Sequence, residues 1–354
     1  MKSLSEFNPG DVLNEALQAV RLRSALYCRA RMTSRWGFKV EQRDHARFHY
    51  ITSGKCWIEI DGERDPFQLN EGDLVIMTGG QGHTLRDHLD SPVERLAELL
   101  LRLPLDKKKN FVWENGGGCT TMLCGGFRLE ERKVNPLLTS LPPVLVSQDR
   151  VAPGVSLRSA FQLVEAELAE APPGSEALVS RISDVIFLQA VRASFVADCD
   201  QAPGLVRGLS DPAIAKALTS VHSRLDHAWT VETMAREAGM SRSAFSSRFV
   251  VVVGEPPLSY VSRWRLNRAA FWLRSSDSRL PEVALQVGYQ SEAAMSRAFK
   301  RCFGLSPGAY RRHSVASNGD GSAVHSPIEK VPLYPSEFRD GNSGLRIAAK
   351  AQKA

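Results

Sequence analysis

Four histidines stand close together in the N-terminal third of the 354-residue chain, His45, His49, His83 and His88, and two cysteines, Cys119 and Cys124, follow them. Imidazole and thiolate bind transition metals, move protons and form disulfides, so the spacing of these groups decides which chemistry is open. Side chains of a strand alternate between its two faces, which puts His45 and His49 on one face but Cys119 and Cys124 on opposite faces. Those two cysteines meet neither at a metal nor in a disulfide without a bulge or loop. The six cysteines, at 28, 56, 119, 124, 199 and 302, are too sparse for a disulfide framework and read as thiols of a reducing compartment. A different chemistry is concentrated further along. Between Asp211 and His313 there are 15 Lys and Arg against 8 Asp and Glu, a net +7, whereas the whole chain carries only +6. Cations gathered in one segment suit phosphate neutralisation, which releases counterions from nucleic acid.

The chain length predicts two or three domains. With 43% apolar and 24% charged residues the composition is globular and excludes wholesale disorder. No apolar run approaches the roughly 18 residues that span a bilayer, and MKSLSEFNPG lacks the apolar core of a signal peptide. The expectation is a soluble cytoplasmic protein with no membrane partner. Strands are predicted at WGFKV (36–40), RFHYI (47–51), CWIEI (56–60), DLVIM (73–77) and ERLAELLLRL (94–103), separated by Gly-containing turns. TTMLCGGFRLE follows a Gly-rich break at 115–118, and the set predicts a small antiparallel barrel ending near Pro142-Pro143. The period then changes. Leu157, Phe161, Val164 and Leu168, then Leu178, Ile182, Val185 with Ile186, and Gln189, recur at three and four residues and predict a helical hairpin split by Ala-Pro-Pro-Gly at 171–174. Such a hairpin can pack on the barrel or form a homodimer seam. The domains are expected at 1–145 (barrel), 146–205 (hairpin) and 206–313 (basic, all-α), with 314–354 a disordered tail.

Within the basic segment one pattern occurs twice. Thr230 can cap a short helix at 231–238 that Gly239 stops, and Ser241 then caps a second helix carrying Phe245 and Phe249 on one face. The second copy runs from Pro281 to Val287, stops at Gly288, and restarts behind Ser291 with Met295, Phe299 and Cys302 inward. Both are helix-turn-helix units. Ser241 to Ser291, Phe249 to Phe299 and Gly254 to Gly304 are each separated by 50 positions. Between the units, Pro257 to Arg274 makes a helix of about 27 Å at 1.5 Å per residue. Two second helices that far apart approach the roughly 34 Å between successive major-groove windows on one DNA face.

The run Gly288-Tyr-Gln-Ser-Glu-Ala-Ala-Met-Ser-Arg-Ala-Phe-Lys-Arg-Cys-Phe-Gly304, followed by Leu-Ser-Pro-Gly-Ala-Tyr-Arg311, resembles the signature of AraC/XylS-type transcription regulators. Phe48-His-Tyr-Ile, Gly54-Lys-Cys-Trp57 and Gly72-Asp-Leu-Val-Ile-Met77 through Gly82-His83 resemble the cupin-like sensor of one AraC subgroup. The resemblance implies an α+β multidomain protein: a cupin-like antiparallel barrel, a helical hairpin, and an all-α domain with two helix-turn-helix units. By position it implies base reading by Arg242, Ser243, Ser246 and Ser247 in the first unit and by Glu292, Ala293, Ser296 and Arg297 in the second. Arg can take guanine O6 and N7 together, Ser either partner, and Glu cytosine N4. The small side chains of the first unit leave more of its recognition to phosphates and DNA shape. Arg263, Arg265, Arg268, Lys300, Arg311 and Arg312 are the phosphate candidates.

Cupin enzymes hold a metal with His and Glu side chains from adjacent strands. Here the His-x-His element is missing and no Glu falls at the expected spacing. No metal, cofactor or catalytic residue is expected, and His49, Trp57 and His83 are candidate ligand-pocket residues. Trp36, Phe48 and Trp57 could be pocket walls, with core packing the favoured role. The implied function is a sequence-specific regulator that binds double-stranded DNA as a homodimer and responds to an unidentified small-molecule effector, with RNA polymerase a possible partner. The alternative is a metal-dependent cupin enzyme tethered to DNA by its helical domain.

Overall fold

The computed structural model describes residues 9–18, 20–63, 65–106, 109–114, 116–130, 135–147, 157–197 and 204–319. Cys199 and most of the expected tail lie outside the described residues. The N-terminal half begins with α1 (Pro9–Gln18), β1 (Arg21–Thr33), β2 (Gly37–Val40), β3 (Ala46–Ser53), β4 (Lys55–Ile60) and β5 (Phe67–Asn70). It continues through β6 (Leu74–Met77), β7 (His83–Arg86), β8 (Glu94–Arg95), α2 (Leu96–Arg102), β9 (Asn110–Trp113), β10 (Cys119–Glu130), α3 (Pro136–Thr139) and β11 (Val144–Ser147). The strands form two packed sheets, ordered β11-β6-β3-β10-β1-β9 and β5-β4-β7-β2-β8. Pairing is antiparallel except for β1 with β9 and β2 with β8.

Two expectations are corrected here. Residues 94–103 are not a strand: after the two residues of β8 the chain turns into α2, because Leu, Ala, Glu and Arg favour helix and Leu99 alone of that stretch is buried. The sheet also does not end at Pro142-Pro143, since β11 follows and pairs with β6.

Strand alternation divides the side chains between two cores. On β3, Phe48 and Tyr50 point outward while Ile51 joins Trp36, Ile58, Met77 and Met122 between the sheets. The outward face is covered by the hairpin α4 (Leu157–Glu170) and α5 (Ser175–Ala197). Tyr50 stacks on Phe161 with ring centroids 3.7 Å apart, and Phe127 meets Phe187 at 5.0 Å. The buried face of α5 is Val179, Ser183, Ile186, Phe187, Ala190 and Val191. It is rotated by one residue from the predicted stripe, so Leu178 and Val185 are exposed at 47% and 46%.

The C-terminal half is helical: α6 (Leu205–Ser210), α7 (Pro212–Ser223), α8 (Val231–Glu237), α9 (Arg242–Val253), α10 (Pro257–Ser275), α11 (Leu280–Gln286), α12 (Glu292–Phe303) and α13 (Pro307–Gly319). The outer core of the sheet continues through Phe161 and Phe187 into Leu218, Phe245, Phe249 and Trp264. A separate cluster of Leu266, Leu273, Val283, Met295 and Phe299 holds the last helices. The two halves also touch through α1. Glu15 lies 3.6 Å from His222 of α7, and His222 bonds the Tyr260 hydroxyl at 2.7 Å and stacks on Trp264. Among the described residues no helix is long and apolar enough to cross a membrane.

Candidate nucleic-acid interface

Local capping builds the first helix-turn-helix unit. Thr230 and Thr233 close a reciprocal box at the start of α8, Gly239 turns the chain at φ +67°, and the Ser241 hydroxyl accepts from Ala244 N to start α9. Phe245 and Phe249 are fully buried beneath the helix, which leaves Arg242, Ser243, Ser247 and Arg248 exposed and Ser246 half-buried. Arg242 pairs with Glu232 of α8 at 2.9 Å. Arg248, not singled out from the sequence, bonds Asp211 at 2.7 Å, and Asp211 also caps α7. Its signal was its place two residues beyond Ser246 on the same helix.

The second unit repeats the plan. Glu282 accepts from Arg279 N at 3.0 Å, Gly288 turns at φ +81°, and Ser291 caps α12 through Ala294 N. Met295 and Phe299 are buried, but Cys302 is exposed, contrary to expectation. The inward position belongs to Phe303, one residue later, which stacks on Phe299 at 4.2 Å and meets Tyr310. Outward stand Ala293, Arg297 and Lys300, with Glu292 and Ser296 partly covered.

Three of the phosphate candidates, Arg265, Arg311 and Arg263, are engaged within the protein. Arg265 donates from Nε to Leu225 O at 3.0 Å and from Nη2 to His227 O at 2.6 Å, and burial pulls its pKa down. Arg311 does the same for the second unit, donating to Leu273 O at 3.2 Å and Ser278 O at 2.6 Å. Each guanidinium holds the loop that precedes a helix-turn-helix unit. Arg263 binds Glu255 and the Thr139 hydroxyl, and Arg268 lies over Phe271. Arg312 is exposed.

Between the sheets lies a cavity of about 120 Å³, lined by Ala30, Phe38, Val40, Leu96, Leu100 and Phe111 together with Lys39, Glu41, Arg43, Arg47, His49, Cys28 and Cys124. His49 is on this wall. Trp57 is not: it alternates with the buried Cys56 and Ile58 and faces away from the inter-sheet space. His83 is fully buried behind His49, with Nε2 to Nε2 at 2.8 Å. Its Nδ1 lies 2.9 Å from Gln81 O, which can only accept, so the tautomers follow. His83 donates from Nδ1, His49 donates from Nε2 to His83, and the Cys124 thiol donates to His49 Nδ1 at 3.2 Å. Desolvation lowers the pKa of both histidines, that of His83 to about 4. Cys124 sits opposite Cys28 in the β1–β10 ladder and beside it, while Cys119 is exposed at the strand end. The hydrogen bond to Cys28 and burial raise the Cys124 pKa well above the usual thiol value. Among the described residues no three His, Cys, Asp or Glu side chains gather as a metal site.

Two helix-turn-helix units on one connecting helix, packed through a hairpin onto a sheet sandwich, define a DNA-binding regulator joined to a separate sheet domain. Residues 11–196 match the cupin family model and residues 234–313 the helix-turn-helix domain model. The chain is 31% identical over 305 residues to an AraC-like transcription regulator of Streptomyces lividans, covering 86% of this chain and 98% of that one. A counterpart from Streptomyces antibioticus is 30% identical over 86% of this chain and 99% of its own, and the regulator AlkR of Acinetobacter baylyi is 28% identical over 86% and 100%. The chain is also similar to the DNA-binding domain of AdpA solved in complex with a target DNA: 35% identical, covering 31% of this chain and 99% of that chain, with a TM-score of 0.30. This chain belongs to the AraC family of transcription regulators, with a cupin-type N-terminal domain and a helix-turn-helix DNA-binding domain.

Proposed function

We propose that the protein regulates transcription as a homodimer in response to a small, mostly apolar molecule held between its sheets. The observation that carries this reading is the two-sidedness of β3. His49 borders the cavity, while its neighbours Phe48 and Tyr50 belong to the core that runs through the hairpin to the Phe245 helix. An occupant that shifts β3 therefore acts on the packing that seats the first DNA-reading unit. About 150 Å³ of apolar space is enough to hold a benzene-sized molecule, and this cavity is of that order. A ligand shifts the protein only by its differential affinity for two states, so coupling of about 1–3 kcal/mol is the scale to expect.

Leu178 and Val185, exposed on α5, supply the dimer seam, with the partly covered Ile182 and Gln189 at its edge. On DNA, Arg242, Ser243, Ser246 and Ser247 face the first groove window, and Glu292, Ala293, Ser296 and Arg297 the second, with Lys300 at the phosphates. Arg265 leaves the phosphate set, because its donors are committed to Leu225 and His227.

Filling the cavity tests the reading. Ala30→Phe should leave the affinity of the full chain for DNA selected from a random library within about threefold of wild type. The same variant should no longer respond to any apolar compound that alters the wild-type complex. If a compound shifts wild type and Ala30→Phe equally, the cavity is not the effector site.

A further inference from the structure

Arg265 lies where the two helix-turn-helix units meet. Its guanidinium reaches back to the loop before α8 through Leu225 O and His227 O. It also covers Gly288 in the turn of the second unit. A Cβ built on Gly288 would fall 2.5 Å from Arg265 Nη2 and 2.6 Å from Leu225 O. Gly239 occupies the matching place in the first unit with the same left-handed backbone, yet a Cβ there would have no atom within 4 Å. The two glycines share a conformation, but only Gly288 is pressed against the other unit. Leu225 packs on both the outer core and the separate cluster of the last helices, and the Tyr289 hydroxyl lies 3.5 Å from Ser262 Oγ on α10.

A connecting helix sets how far apart two units stand. It does not by itself set how each is rotated about that helix. We propose that the Leu225–Arg265–Gly288 junction fixes this rotation, which makes Arg265 and Gly288 positioning residues for reading two groove windows in phase. The proposal rests on the reading that both units engage one DNA face. Arg265 suits the role because its planar fork meets two carbonyls at once, and a lysine would hold at most a point contact. Gly288 suits it because a backbone carbonyl, unlike a flexible side-chain end, cannot step aside for a methyl group.

The test uses the full chain and a duplex selected by the wild type from a random library, with one base pair then inserted or removed between the two footprints. One base pair displaces the second window by about 3.4 Å and rotates it by roughly 35°. The wild type should lose about tenfold in affinity for each such change. Arg265→Gln and Gly288→Ala should bind the original duplex more weakly and lose less than about threefold on changing the spacing. Gly239→Ala carries the same backbone strain without the clash and should keep the wild-type profile. Should Gly288→Ala not fold, Arg265→Gln, which adds no bulk, decides the matter alone. A folded Arg265→Gln chain with the full tenfold spacing penalty overturns the junction. A wild type indifferent to spacing overturns the two-window reading on which the junction depends.

Discussion

His49 donates from Nε2 to Nε2 of His83 across 2.8 Å, and both rings are buried between the sheets with neither charged. The chain of donors from Cys124 to Gln81 O runs in one direction, so a proton added at either ring breaks a hydrogen bond as well as burying a charge.

Acid should therefore weaken the fold. An unfolded His takes its proton near pH 6.5, whereas His83 in the fold holds off until about 4. Between those values the unfolded chain binds more protons, so stability falls as pH falls. His83 alone contributes about 3 kcal/mol over that window. Urea midpoints from pH 7 to pH 4 should drop steeply in the wild type and less so in the double variant His49→Leu, His83→Leu. Parallel profiles would assign the acid sensitivity elsewhere.

Arg297 is exposed on α12 and free to meet a base edge, whereas Arg242 begins paired with Glu232. Arg297→Ala should relax base preference at one operator position at a cost of about 1–3 kcal/mol. Glu232→Gln should tighten binding to all sequences and steepen the salt dependence by releasing a cation to the phosphates. Uniform loss across a site library for Arg297→Ala would remove it from the base-reading face.

Much of this interface is legible in the sequence because it is built from local signals. The caps at Thr230, Ser241 and Ser291 and the left-handed glycines at 239 and 288 act within three or four residues of themselves. Arg265 is a different case: its carbonyl partner Leu225 lies 40 positions away, and nothing local marks a guanidinium as a strut rather than a phosphate ligand. The face of α5 slipped by one residue because Val185 and Ile186 are adjacent and equally apolar, and only the core that also takes in Phe187 picks one. Strands β1, β5, β7, β9 and β11 went unread, as did α1: the last four strands have only four residues each, too few to show a period, and the arginines of β1 interrupt its alternation.

Val185 offers a clean probe of assembly because it is exposed while its neighbours hold the fold. Val185→Glu should alter stability by no more than about 0.5 kcal/mol. The same change should convert dimers to monomers in sedimentation velocity and weaken binding to paired operator sites. A wild type that sediments as a monomer at micromolar concentration would leave the stripe as ordinary surface.

The cysteines should separate by alkylation rate. Cys119 and Cys302 are exposed, while burial pushes the Cys56 thiol up to about 12 and raises that of Cys124. Mass spectrometry after brief iodoacetamide treatment at pH 8 should find Cys119 and Cys302 modified first and Cys56 last. Early labelling of Cys124 would show that the cavity opens in solution.

The first reading unit shares its core with the sheet and hairpin, and the second has a core of its own. Cooperativity is therefore distributed against the apparent domain boundary. The α7–α9 unit cannot melt without stripping the outer face of β3, so it should unfold in one calorimetric transition with the N-terminal half. The α11–α13 unit can open alone. A protease acting on the native chain would thus find its first cut in the distal unit, leaving behind a particle that keeps the sheet domain and the first helix-turn-helix unit.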